Sequence, residues 1–226
     1  MSTAATALAI QIDPDTRVSA LLRAPRGAEA CYVMAHGAGA GMAHPFMAAV
    51  ADGLAERGIA TLRYNFPYME RGSKRPDTPK VAHAAVRAAV AEAAARLPKA
   101  AIFAGGKSFG GRMTSQAQAS VPMVEVQGLA FLGFPLHAAG KPSASRGDHL
   151  AEVVVPMLFL QGTRDELADL ALLEPLVKSL GDRAALGTFQ DADHSFHVPA
   201  KSGRKDADVM VALLNEITAW IARVSA

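Results

Sequence analysis

The fold is decided by the stretch Ala101-Ile-Phe-Ala-Gly-Gly-Lys-Ser-Phe-Gly-Gly111. Its first four residues form an apolar run typical of a buried strand, and a helix is predicted from Phe109 to about Ala119. Between them lies a Gly-x-Ser-x-Gly pattern, typical of a nucleophile elbow, which is a sharp strand-to-helix turn that exposes its serine. Glycine fits this turn because larger side chains would collide with the neighbouring strand or helix. The stretch therefore predicts Ser108 as a nucleophile, with the backbone N–H of Phe109 facing a developing oxyanion.

Two alternatives compete for these glycines. A chance match of the short pattern is one, and the strand before it and the helix after it argue against chance. Nucleotide binding is the other, because Gly-Lys-Ser also ends a phosphate-binding loop. That loop needs a glycine five positions before Gly106, where the sequence has Ala101. A dinucleotide fingerprint beginning at Gly37 fails in the same way, because Met42 stands at its third glycine position.

The strand-then-helix order of this stretch is repeated along the chain. Several predicted strands are continuously apolar, as in a parallel sheet covered on both faces. The predicted strands are Val18–Leu22, Cys31–Ala35, Ala60–Tyr64, Ala101–Ala104, Leu129–Gly133, Pro156–Leu160 and Leu186–Phe189. The predicted helices are Pro45–Gly58, Lys80–Leu97, Phe109 to about Ala119, Leu167–Leu180 with a kink or break at Pro175, and a final apolar stripe from Met210 to Val224. This order predicts an α/β fold, a doubly wound and mostly parallel sheet with helices on both faces.

Composition narrows the class of protein. The chain of 226 residues is 50% hydrophobic and 19% charged, which excludes a disordered chain. A single cysteine excludes a disulfide framework and a cysteine-based metal site. The net charge of 23 − 21 = +2 argues against bulk nucleic-acid binding. No composition shift divides residues 1–226, so one domain is expected, with residues 1–16 either poorly ordered or an edge strand.

The expected cellular location depends on whether the sequence contains a signal peptide or a membrane-spanning helix. No Lys or Arg precedes Asp13, so the positive start of a signal peptide is missing. The longest uncharged stretch, Ala30 to Ala51, is interrupted by His, Pro and Gly and is not a membrane-spanning helix. A cytoplasmic protein with no membrane contact is expected.

A second glycine-rich turn follows the strand at Cys31–Ala35. It reads His36-Gly37-Ala38-Gly39-Ala40-Gly41. Small residues here let a backbone amide approach a tetrahedral intermediate, as in an oxyanion loop. We predict the N–H of Ala38 as the donor, with that of Gly39 as the alternative, and we expect His36 to brace the loop.

A serine nucleophile needs a base, and the base needs a carboxylate to orient it. Asp165 follows the strand at Pro156–Leu160, and His194 follows the strand at Leu186–Phe189. Their order after the serine is the order expected in this architecture. We therefore predict His194 as the base and Asp165 as its partner. The rivals are His197 for the base and Asp191 or Asp193 for the acid.

Other charged loop residues are weaker candidates. Lys107, His137, Arg71 and Arg146 are predicted to contact substrate. They belong to a larger set of basic loop residues, which favours either a positive entrance for an anionic substrate or ordinary solvated charges. The His and carboxylate residues have no convincing metal-ligand spacing, so no metal is predicted.

The sequence resembles the α/β-hydrolase superfamily, and within it the small, lidless branch of dienelactone-hydrolase-like and Tex–KANSL-type proteins. The resemblance extends from Val33 to Trp220. The motifs that carry it are His36–Gly41, Arg63-Tyr-Asn-Phe-Pro67, Gly105–Arg112, Phe134-Pro-Leu-His137, Gln161-Gly-Thr-Arg-Asp165 and Asp193-His-Ser-Phe196.

This resemblance implies a Ser–His–Asp triad at Ser108, His194 and Asp165, ester-type small-molecule acyl substrates and no cofactor. About 20 residues separate the fifth predicted strand from Val153, too few for a multi-helix lid, so an open pocket is expected. One position departs from the family pattern, because dienelactone hydrolases proper use a cysteine where this chain has Ser108. Some members of the family serve as interaction subunits, so a hydrolase-fold interaction or scaffolding module is the alternative function. Either a monomer or a homodimer is compatible with the sequence.

Overall fold

Residues 4–226 are described by the computed structural model, and they are organised around an eight-stranded sheet. The strands are β1 (Thr6–Asp13), β2 (Thr16–Arg23), β3 (Ala30–Ala35), β4 (Ala60–Tyr64), β5 (Ala101–Lys107), β6 (Val126–Leu132), β7 (Met157–Gly162) and β8 (Ala184–Phe189). Their order across the sheet is β1-β2-β4-β3-β5-β6-β7-β8. β3 to β8 are parallel, whereas β1 and β2 are antiparallel at one edge.

Helices cover both faces of the sheet. They are α1 (Pro45–Glu56), α2 (Pro67–Glu70), α3 (Pro79–Arg96), α4 (Phe109–Ser120), α5 (Leu170–Ser179) and α6 (Asp206–Ser225), with 3₁₀ segments at Ser145–Glu152, Gly181–Arg183 and Ala200–Ser202. α1 and α6 pack on one face and α3, α4 and α5 on the other. The predicted α/β fold class is therefore confirmed. No helix within residues 4–226 combines the length and apolarity that a membrane crossing requires.

The apolar runs form the central strands because each has a packed layer on both sides. All residues of β3, β4 and β7 are buried. On the face of α6, Phe103 of β5 meets Trp220 with ring centroids 5.4 Å apart. On the opposite face, Phe131 of β6 packs against Phe159 of β7 at 4.8 Å. Such burial of aromatic side chains is a main source of stabilisation in a domain of this size.

Several boundaries differ from the predicted ones. Residues 6–13 form the edge strand β1, one of the two options for residues 1–16, while residues 1–3 lie outside the described residues. α5 begins at Leu170 rather than Leu167, because the Asp169 side chain accepts a hydrogen bond from the Ala171 N–H at 2.9 Å. Pro175 lies within α5 and does not divide it. The short helix α2 was not predicted.

The strand order determines where a site can form. From β3 the chain passes to β4 on one side and then to β5 on the other side. A crevice opens at the carboxyl ends of the strands where the direction reverses in this way, and ligands bind there in open α/β sheets. The loops that leave β3, β5, β7 and β8 all reach this edge, and they carry the residues predicted to act.

Candidate active site

Ser108 lies in a strained turn between β5 and α4. Its backbone has φ 50° and ψ −118°, a conformation that non-glycine residues rarely adopt. The turn is tight enough that a Cβ on Gly106 would lie 2.1 Å from the Ala35 carbonyl oxygen, and one on Gly110 would lie 2.5 Å from the same atom. Glycine at both positions therefore lets β5 and α4 approach β3 closely, and the turn presents the serine hydroxyl at the sheet edge.

A hydrogen-bonded chain joins the three residues predicted as nucleophile, base and acid. Ser108 Oγ lies 2.8 Å from His194 Nε2, and His194 Nδ1 lies 2.7 Å from Asp165 Oδ2. Because Nδ1 donates to the carboxylate, Nε2 is free to accept the serine proton. The Asp165 side chain is fully buried, whereas 24% of the His194 side chain is exposed. The three side chains therefore lie in the order that their predicted roles require.

Asp165 is held by further bonds that the sequence analysis missed. Its Oδ1 accepts from the Leu167 N–H at 2.8 Å, and its Oδ2 accepts from the Gln161 side-chain amide. Gln161 is fully buried at the end of β7, and its Oε1 accepts from the Phe134 N–H at 2.9 Å. Gln161 thus joins the acid to the loop after β6. The only signal in the sequence was its place in the Gln161–Asp165 motif.

Two backbone N–H groups beside Ser108 make no hydrogen bond within residues 4–226. They belong to Phe109, the first residue of α4, and to Ala38 in the turn after β3. Gly39, the predicted alternative, does not fit this role, because its N–H donates to Tyr68 Oη at 2.9 Å. This corrects the sequence prediction.

His36 holds the turn after β3 in place. Its Nδ1 donates to the Gly37 carbonyl at 2.7 Å, and its Nε2 accepts from the Phe66 N–H at 3.1 Å. Burial lowers the pKa of His36, which keeps the ring neutral and both bonds compatible. The ring therefore supports the backbone beside Ala38, as the sequence suggested.

A cavity of about 370 Å³ opens beside Ser108. Its wall is mainly apolar or small, and includes Phe46, which stacks on Phe196 with centroids 5.8 Å apart. The lining residues are Gly37, Ala38, Ala40, His44, Phe46, Met47, Lys107, Ser108, Leu167, His194 and Ser195. A neutral group of modest size fits such a wall better than a charged one.

The four residues predicted to contact substrate lie in different surroundings and have different bonding partners. Lys107 lines the cavity, but its Nζ donates to the His194 carbonyl. His137 accepts from the Asp169 N–H at 2.8 Å and lines a neighbouring cleft. Arg71 pairs with Asp77 at 2.6 Å. Arg146 is not among the described residues that line the cavity; burial, reinforced by the charge of Arg146, lowers the pKa of Arg112 in α4.

The rival residues are engaged elsewhere. His197 Nδ1 lies 2.8 Å from Asp206 Oδ2 at the start of α6. Asp193 Oδ1 accepts from the N–H groups of Ser195 and His197, so it shapes the turn that carries His194. Asp191 lies in the same loop at a positive φ of 62°. No hydrogen bond in the described chain connects these carboxylates to the His194 ring.

A second serine–histidine contact lies deeper in the molecule. Ser115 Oγ is 2.7 Å from His149 Nε2, between α4 and the 3₁₀ segment Ser145–Glu152. Ser115 is fully buried, and within residues 4–226 no carboxylate is hydrogen bonded to His149. Burial, reinforced by the charge of Arg112, lowers the pKa of His149 to about 4. This pair therefore lacks the third group and the access to solvent that Ser108 has.

The described residues contain no group of three or more His, Cys, Asp or Glu side chains arranged to hold a metal ion.

Comparison with known proteins gives the same architecture. A family model described as an alpha/beta hydrolase domain matches residues 28–222. The chain is similar to the structure of a lidless a/b serine hydrolase from Xanthomonas campestris, at 24% identity and a TM-score of 0.75, with 97% of this chain and 96% of that chain covered. It is also similar to a dienelactone hydrolase from Anabaena variabilis, at 19% identity and a TM-score of 0.80, with 99% of each chain covered. A further match is an alpha-beta serine hydrolase homologue from Coxiella burnetii, at 20% identity and a TM-score of 0.73, with 100% of each chain covered.

Proposed function

Because the chain belongs to the alpha/beta hydrolase family, we propose that it is a serine hydrolase that cleaves a carboxylic ester or thioester through an acyl-enzyme. Family membership supports hydrolase activity in general. The observation that carries the finer proposal is the bonded chain Ser108–His194–Asp165, which lies at the edge of an apolar cavity. A scaffolding module would not need a strained serine with a base in hydrogen-bond reach.

In the first half of the reaction, His194 Nε2 takes the proton of Ser108 Oγ as the oxygen attacks the acyl carbon. The carbonyl oxygen becomes an oxyanion, which the N–H groups of Ala38 and Phe109 stabilise. The bond to the leaving group then breaks, and the leaving oxygen or sulfur takes the proton from His194. In the second half, water gives a proton to His194 and attacks the acyl-enzyme, and Ser108 regains a proton as the acid departs.

The lining of the cavity supports a proposal about the class of acyl group. Phe46, Met47 and Leu167 provide an apolar wall. Lys107, one of the basic loop residues considered as an entrance for an anionic substrate, also lines the cavity, but its ammonium is bonded to the His194 carbonyl. We therefore propose a neutral, short- to medium-length or aromatic acyl group. Turnover of neutral and carboxylate-bearing esters across salt concentrations checks this point. A preference for the anionic ester that weakens with salt contradicts it.

Labelling with a fluorophosphonate probe tests the proposed function. The wild type is expected to label and to hydrolyse neutral aryl esters, and Ser108→Ala is expected to do neither. Ser115→Ala is the matched control because it removes the other serine that contacts a histidine, and it should keep both properties. A natively folded wild type that neither labels nor turns over any ester or thioester contradicts the proposal and favours the scaffolding alternative.

A further inference from the structure

We propose that Lys107 is a positioning residue for His194, an inference that rests on the proposed function. Its ammonium holds the main chain of the loop that carries the base, between β8 and α6. The side chain comes from the residue directly before the nucleophile, so one element, the end of β5, fixes both partners of the first proton transfer.

The contacts of Lys107 point to this role. Nζ donates to the backbone carbonyl of His194 and lies 5.5 Å from the centre of the Phe196 ring, a distance suited to a cation–π contact. It also packs close to Gly133 at the end of β6, where a Cβ would lie 2.8 Å from Nζ. The ammonium is therefore enclosed by the loop that it holds and by the neighbouring strand end.

The loop needs such a tie because its own conformation is strained. Asp191 and Phe196, on either side of His194, have positive φ values of 62° and 64°. Each such residue costs on the order of 1–3 kcal/mol unless its surroundings enforce it. Within the described chain, the main chain of His194 makes no hydrogen bond other than the one to Lys107. Bonds to the Asp193 carboxylate hold the residues on the C-terminal side of His194, and the ammonium is the group that holds the main chain of His194 itself.

The charge of Lys107 is open to titration at alkaline pH. Burial lowers its pKa to about 8, and the carboxylates of Asp165 and Asp193 oppose that shift. The Asp165 carboxylate acts on it from the loop after β7 and the Asp193 carboxylate from the loop after β8, and the His194 ring packs against the same glycine, Gly133, as the ammonium. The neutral amine is a weaker donor than the ammonium, so the tie loosens as pH rises through 8.

Two substitutions of Lys107 separate the contribution of its charge from that of its aliphatic side chain. Lys107→Met keeps the apolar stem and removes the charge, while Lys107→Arg keeps a charge that does not titrate below about pH 12. We expect Lys107→Met to lower kcat for a neutral ester by about 10- to 100-fold, the range of a broken charge-assisted hydrogen bond, with KM changed less than about threefold. Lys107→Arg should recover most of kcat. Lys99→Met, at an exposed lysine before β5, is the control and should match the wild type.

The pH profile and amide hydrogen exchange complete the test. The wild-type kcat should fall above pH 8, and this alkaline limb should be absent in Lys107→Arg. Amide exchange over residues 190–198 should be faster in Lys107→Met than in the wild type. The proposal is overturned if Lys107→Met has a kcat within about threefold of wild type, or if its loop exchanges at the wild-type rate. If Lys107→Met does not fold, the role of Lys107 is tested by the pH profiles alone. In that case kcat of the wild type should fall above pH 8 and kcat of Lys107→Arg should not, and equal profiles overturn the proposal. If the wild type has no esterase activity, the proposed function fails, and the exchange comparison still decides the role of Lys107.

Discussion

Replacing Asp165 by Asn tests the site most sharply, because Asn keeps the shape of the side chain and removes only the charge and one acceptor. Asp165 accepts from three donors, the His194 ring, the Gln161 amide and the Leu167 N–H. An Asn side chain has one oxygen and one NH₂ group. If the oxygen faces His194 and Gln161, the NH₂ group meets the Leu167 N–H. If the oxygen faces Leu167, the NH₂ group meets two donors.

Either orientation harms the proton transfer, and the magnitude follows from the hydrogen bonds that the substitution breaks. The charge-assisted bond to His194 is worth about 1.5–3 kcal/mol, and a buried donor left without an acceptor costs about 1–3 kcal/mol. Together these come to roughly 2.5–6 kcal/mol, and each 1.36 kcal/mol is about a factor of ten in rate. We therefore expect Asp165→Asn to lower kcat by about 10²- to 10⁴-fold. In the second orientation, the NH₂ group also forces Nδ1 of His194 to accept, so Nε2 carries a proton and cannot take the one from Ser108.

The assay is the hydrolysis of a neutral aryl ester, with the rate of fluorophosphonate labelling as a second measure of serine reactivity. Both rates should fall together, because both depend on removal of the Ser108 proton. Asp191→Asn is the matched control, since Asn tolerates the positive φ at that position, and its activity should stay within about threefold of wild type. A kcat for Asp165→Asn within about tenfold of the wild type would refute the assigned role of the acid.

Three further predictions concern stability and the second serine. Gly106→Ala should abolish folding or lower the free energy of unfolding by more than about 4 kcal/mol in a urea titration, because its Cβ would lie 2.1 Å from the Ala35 carbonyl oxygen. Gly140→Ala is the control, because a Cβ there has nothing within 4 Å. At its φ of 69° the substitution should lower the free energy of unfolding by only about 1–2 kcal/mol. Ser115→Ala should lower the melting temperature by a few degrees, because the His149 ring loses a buried partner, while esterase activity stays near wild type. For Lys107, the folded pKa of about 8 lies below the unfolded value of 10.5, so the unfolded chain binds more protons between these pH values. Urea titrations should therefore show the stability of wild type relative to Lys107→Met rising by up to about 3 kcal/mol from pH 8 to 10.5, while activity falls over the same range.

The fold was predictable because its signals are local. The elbow at Gly106–Gly110 needs a strand before it and a helix after it, and β5 and α4 are in those places. Continuous apolar runs became fully buried strands because both faces of a parallel sheet are covered. The edge strand β1 was harder to predict because one face is exposed, so its hydrophobic pattern is diluted by polar residues.

The sequence predicted which residue types lie near the site, but not which partners their polar groups bond to. Arg71 was predicted to contact substrate, but its guanidinium pairs with Asp77, and Arg146 lies in the 3₁₀ segment Ser145–Glu152 and is not among the described residues that line the cavity. Gly39 has the right neighbours in sequence, yet Tyr68, 29 residues away in the chain, takes its N–H. Sequence spacing places a residue at a strand end, and the packing of distant elements decides where its polar atoms go.

The convergence of Ser108, His194 and Asp165 depends on strand order, which sequence reasoning takes from the architecture. β5 is separated from β7 by β6, so the serine and the acid do not follow neighbouring strands. The loop after β8 must cross the ends of β7 and β6 to bring His194 over β5. The loop has positive φ values at Asp191 and Phe196. Lys107, which the sequence suggested for substrate binding, directly precedes the proposed nucleophile, and its ammonium is bonded to the main chain of the proposed base, as the positioning role requires.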